Sequence, residues 1–145
     1  MEYHRYRELF LQGAVLQYEK EGKMVKGRLM EATENYTLEA DPELFLMTEP
    51  HPFLKLGDKV ALKNVQGVPI TKGHLEEYGY NYNPENEIYT LDLYREEGIL
   101  GTISIKFIDE KITLRVQGPN INLLSHQIQY VHQYQALINF LVLFT

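Results

Sequence analysis

The chain has 145 residues, 44% of them apolar and 23% charged, the proportions of one folded globular domain with a single core and not of a disordered polymer. Acidic side chains outnumber basic ones by 20 to 14, and only Lys20, Lys23, Lys26 and Arg28 cluster, which argues against a nucleic-acid partner, since such binding draws on neutralised phosphates. The absence of cysteine excludes disulfide staples, thiolate zinc sites and a cysteine nucleophile.

The N-terminus, MEYHRYRELF, carries charge where a secretory signal needs an apolar run, and no apolar stretch reaches the roughly 18 to 20 residues of a membrane span. A soluble cytoplasmic protein is the expectation. Tyr6, Leu9 and Phe10 stand at helical spacing ahead of Gly13, so residues 2–12 are predicted as a short helix. From residue 13 to 73, short β-compatible runs recur every eight to twelve residues, separated by Glu21-Gly22, Asp41-Pro42, the prolines of EPHPF, and a break near Asn64 to Gly67. That rhythm predicts a strongly bent antiparallel sheet or a barrel-like half.

Residues 74–87 read as a Tyr-rich loop. If extended, Tyr78, Tyr80 and Tyr82 project from one face with period two, while Asn81 and Asn83 occupy the other and Glu85 follows. Rings that cost little entropy to order, beside amides and carboxylates, suit a partner protein or a small hydroxyl- or amine-bearing ligand. The plainer alternative is that the rings plug the mouth of the sheet. Over 88–117 the alternation is strict, with Tyr89, Leu91 and Leu93, then Ile103, Ile105 and Phe107, then Ile112, Leu114 and Val116 each lining one face of a three-stranded meander.

After Gly118-Pro119, Asn120 is a plausible N-cap, and a helix is predicted over 120–144. Arg115 is the last permanently charged side chain. On that helix the face away from the sheet would carry His126, Gln129, His132 and Gln133 and end on Phe140, Leu143 and Phe144, an uncharged surface suited to self-association or to packing under a loop.

The fold expected is therefore α+β: a bent antiparallel sheet or partial barrel of seven to nine short strands, a short N-terminal helix, and a long C-terminal helix packed on the sheet. As an alternative, a small barrel closed by a C-terminal helix resembles the outline of the pleckstrin-homology superfold. The helix has no Trp and no basic loop pair is present, so the resemblance implies layout and no function.

Chemistry is weakly represented. Ser104 and Ser125 lie in no Gly-rich elbow, His126 and His132 are six residues apart and cannot chelate one ion from a helix, and no phosphate-binding glycine motif occurs. Glu76/Glu77, Glu85/Glu87, Glu96/Glu97 and Asp109/Glu110 sit at expected turns. No catalytic residue, metal ligand or cofactor is therefore assigned. The expected function is a non-enzymatic protein–protein interaction module, its partners a second copy of the chain or another protein. Small-ligand binding at residues 74–89 is the alternative, ahead of an enzyme without a recognisable motif.

Overall fold

The computed structural model describes residues 13–32, 43–47, 57–96 and 98–144, and the expected N-terminal helix, the Asp41-Pro42 break and the EPHPF loop lie outside them. The fold is α+β, with antiparallel sheets and a C-terminal helix. The chain divides into two compact units, Met1–Val68 with Tyr130–Val142, and Pro69–Gln129 with Leu143–Thr145.

Unit 1 holds an open five-stranded sheet of β1 (Val15–Lys20), β2 (Lys23–Ala32), β3 (Glu43–Met47), β4 (Gly57–Ala61) and β5 (Val65–Gly67), in the order β4-β3-β2-β1-β5. The break expected near Asn64 to Gly67 lies earlier, in a 3₁₀ turn over Leu62–Asn64, and Val65–Gly67 pair with β1 as β5. β1 and β2 meet at Glu21-Gly22, as the sequence predicts. Both turn residues have positive φ, 52° and 79°, the backbone that matches the twist of a two-residue hairpin. Alternation along β1 buries Leu16 and Tyr18, and Ala14, Leu29, Val65 and Val68 are buried with them.

The helix of this unit, α2, spans Val131–Phe144 and buries Val131, His132, Tyr134 and Leu141. Its start lies against β5: a Cβ on Gly67 would stand 2.6 Å from the Tyr130 ring and 2.9 Å from that of His132. Only glycine leaves room for both rings. Gln133 Oε1 accepts the Tyr130 N–H at 3.1 Å, reaching back as the third residue of a capping box does.

Unit 2 begins with α1 (Lys72–Glu77), capped by Thr71. The Thr71 hydroxyl accepts from the His74 N–H while His74 Nδ1 accepts from the Thr71 N–H at 3.0 Å, so an imidazole fills the place usually held by Glu or Gln. An open five-stranded meander follows: β6 (Asn81–Asn83), β7 (Ile88–Arg95), β8 (Gly98–Ile108), β9 (Lys111–Gly118) and β10 (Ile121–Ser125), each paired to the next. The predicted three-stranded meander is β7–β9, and its inward face is the one read from the alternation: Tyr89, Ile103, Ile105, Ile112, Leu114 and Val116 are buried. One side packed and one solvated is the usual economy of an antiparallel sheet.

Three expectations need correction. Residues 74–87 are not one loop, since α1 and β6 occupy half of them. The helix predicted from residue 120 begins at Val131 instead, because Pro119-Asn120 form the two-residue link between β9 and β10. Proline suits the first central position of such a turn, and Ile121 and Leu123 then face the side of Val116 and Leu114 as strand residues. Among the described residues ten strands form two sheets, where one bent sheet or partial barrel of about seven to nine strands was expected.

Candidate functional site

The Tyr-rich stretch does not form one aromatic face. Tyr78 is the C-cap of α1, and Gly79, at φ 87°, takes the left-handed conformation that ends the helix and breaks the period-two spacing. Tyr80 is 7% exposed and belongs to the core of unit 2. Tyr82 pairs with Tyr89 across β6 and β7, their ring centroids 4.6 Å apart, and Tyr89 meets Phe107 edge-on at 6.0 Å. An aromatic row thus crosses three strands, with Tyr82, 47% exposed, as its outer end.

The polar members of the stretch build the β6–β7 turn. Asn83 Oδ1 accepts the Glu85 N–H at 3.0 Å, Asn86 Oδ1 accepts the Ile88 N–H at 3.1 Å, and the Glu87 N–H donates to the Asn83 carbonyl at 2.8 Å. Asn81 and Glu85 are exposed. The side-chain oxygens of Asn83 and Asn86 are thus occupied by nearby backbone, in the way Asn stabilises turns generally.

The residues expected on one helical face are spread over both units. His126 and Gln129 precede α2. His126 Nδ1 lies 3.2 Å from the Thr113 hydroxyl, and the Gln129 amide binds the Ile112 backbone and donates to the His126 carbonyl. His132 is on the helix but 2% exposed, its ring stacked on Tyr130 at 5.9 Å, so it is a core residue of unit 1. Gln133 caps the helix start. Phe140 combines a helical position with an exposed ring, at 53%, and the side chains of Leu143 and Phe144 lie outside those described.

What the sequence did not advertise is a sheet edge. Both the N–H and the C=O of Ile112 are taken by Gln129, so they point to the β10 side of β9 and away from Phe107, its partner on β8. Residues two apart share that direction. Leu114 and Val116 therefore bond to Ser125 and Leu123, and the N–H and C=O of the intervening Asn122 and Leu124 point outward from β10, the last strand of the sheet among the described residues. Both residues are exposed, Leu124 at 51%.

The five residues Ile-Asn-Leu-Leu-Ser contain no charge and no proline, and their register with β9 is unbroken. Edge strands are ordinarily blunted by charge, proline, a bulge or shortness. The opposite edge, β6, has three residues and runs into Pro84. The charge-free end of the chain and the Gly-Pro-Asn turn were the signals available; reading that turn as a helix start concealed the strand.

Unit 1 contributes an open groove of about 640 Å³ beside the β1–β2 turn, lined among others by Glu21, Met24, Val60, Lys63 and Gln66. Among the described residues no three His, Asp or Glu side chains gather closely enough to hold a metal ion, and no helix is long and apolar enough to cross a membrane. Compared with known proteins, the chain matches no family model, no curated protein and no solved structure.

Proposed function

We propose that this chain is a non-enzymatic interaction module that binds protein by strand addition at β10. The observation supporting this reading is the outward N–H and C=O groups of Asn122 and Leu124 on an uncharged, unbulged edge. An extended segment laid there would take up these groups, and Leu124 would supply a side-chain contact for selectivity. Unit 1 is the supporting half, and we read its sheet as a partial barrel. Its edge strands β4 and β5 are separated by only Leu62–Asn64, whereas a flat five-stranded sheet is roughly 19 Å wide and four residue steps reach at most about 14 Å.

Asn122→Pro tests the reading. Proline at an outward-facing edge position removes a donor that the sheet itself does not use. Partner proteins cross-linked in cells by the wild type should be lost with the variant while its circular dichroism and melting temperature are unchanged; equal recovery from both would refute strand addition.

A second reading is a small-ligand binder, favoured by the groove of unit 1, where Met24 offers an apolar contact between Glu21 and Lys63. Ligand-detected NMR with a fragment set, repeated on Met24→Glu, separates it from the first, since strand addition leaves Met24 without a role.

A further inference from the structure

Resting on the reading of β10 as a strand-addition edge, we propose that its occupant is β10 of a second copy, the two strands pairing antiparallel about Leu123. Full overlap of Ile121–Ser125 with itself sets Asn122 of one copy opposite Leu124 of the other, twice, around a two-fold axis normal to the sheet. Asn122 and Leu124 are the two positions whose N–H and C=O point outward. Each couple exchanges both bonds, so every outward group of the strand interior finds its complement without a change of register.

The side chains agree with the backbone. Opposite residues share a face, so the inner side brings Leu123 against Leu123 and Ile121 against Ser125, covering residues that are only half-buried in one copy. On the outer side the row Arg115, Leu124 continues into Asn122 and Gln117 of the other copy. Charge favours this edge over others: two chains of net −6 repel, yet nothing after Arg115 carries a permanent side-chain charge, so the seam brings no like charges together.

The assembly also closes. The far edge of each sheet is β6, three residues ending at Pro84, which gives little for a further copy to pair with. The product is a two-fold dimer with a continuous ten-stranded sheet and no fibre. Its contact is a strand edge, below the size of a standard stable interface, as in weak or transient associations.

Sedimentation of the full chain over a concentration series, combined with amide hydrogen exchange, tests the pairing. The mass should double with concentration, and the Asn122 and Leu124 amides should slow in step with it. Asn122→Pro should abolish the dimer, and Leu124→Lys, which brings two like charges to about 7–8 Å diagonally across the seam, should weaken it. A wild type that stays monomeric at hundreds of micromolar overturns self-pairing, as does a dimer indifferent to both variants with unchanged exchange at these amides. In either case strand addition to another protein stands or falls separately, on whether Asn122→Pro loses cross-linked partners.

Discussion

The side-chain amide of Gln129 stands in for a strand beside Ile112, its Oε1 accepting the Ile112 N–H at 2.9 Å and its Nε2 donating to the Ile112 carbonyl at 2.8 Å. Gln135 does the same in unit 1, accepting from the Val15 N–H at 2.9 Å and donating to the Gly13 carbonyl at 3.1 Å, just beyond the point where β5 stops pairing with β1. Each glutamine completes a ladder where the neighbouring strand runs out. Gln129→Ala and Gln135→Ala should each cost about 1–3 kcal/mol in a denaturant melt, the penalty for leaving partly buried backbone groups unpaired. Gln129→Glu should not rescue, because a carboxylate accepts from the N–H but meets the carbonyl with no donor. Full stability of Gln129→Glu at neutral pH would show that the amide pairing contributes nothing.

The two tyrosines flanking Asn81 should respond very differently to truncation. Tyr80 is buried whereas Tyr82 is about half exposed at the end of an aromatic row. Tyr80→Ala is expected to cost about 3–5 kcal/mol and Tyr82→Ala about 1 kcal/mol. Paired urea melts decide it, and equal losses would mean that Tyr82 carries as much of the core as Tyr80.

Gly67→Ala should destabilise unit 1 by about 1–3 kcal/mol, since the added methyl overlaps the Tyr130 ring and the ring of His132. The reverse compensation is testable. Adding Tyr130→Ala to Gly67→Ala opens the space, so the double variant should lose less than the sum of the single losses.

One substitution should strengthen the protein. Asp109 and Glu110 form the two-residue β8–β9 turn with φ of 51° and 67°, a left-handed conformation that disfavours a side chain with Cβ. Glu110→Gly relieves that strain, and a gain of about 1 kcal/mol is expected. A melting temperature that falls would show that Glu110 makes a contact outweighing its backbone cost.

How legible all this was depends on what each segment had to say locally. The meander was readable because Tyr89, Ile103, Ile105, Ile112, Leu114 and Val116 obey strict alternation between short turns, a pattern no helix imitates. The segment 121–130 was not, because its apolar residues fit helical and extended spacing alike and Asn120 suits a cap as well as a turn. α2 also lacks the Ser, Thr or Asp that marks a helix start; it begins on Tyr130, held by Gln133 from within. The Tyr stretch misled for another reason. Its alternation was real in sequence, but Gly79 turns the backbone between Tyr78 and Tyr80 and sends the rings to different places.

The boundaries of unit 1 have a consequence for biosynthesis. The residues at which it is interrupted, Val68 and Tyr130, lie side by side, since the Val131 N–H donates to the Val68 carbonyl at 2.8 Å, and unit 2 is closed in the same way by the Ile70 N–H on the Gln129 carbonyl at 3.0 Å. As the chain leaves the ribosome, β1–β5 emerge before unit 2 but must wait for α2, which follows it. Unit 2, translated between them, has its whole sheet in hand before the helix appears. The sheet of unit 2 is therefore complete before unit 1 receives its helix, and the nascent β1–β5 sheet waits through that synthesis with the core face of Leu16, Tyr18 and Val65 lacking α2.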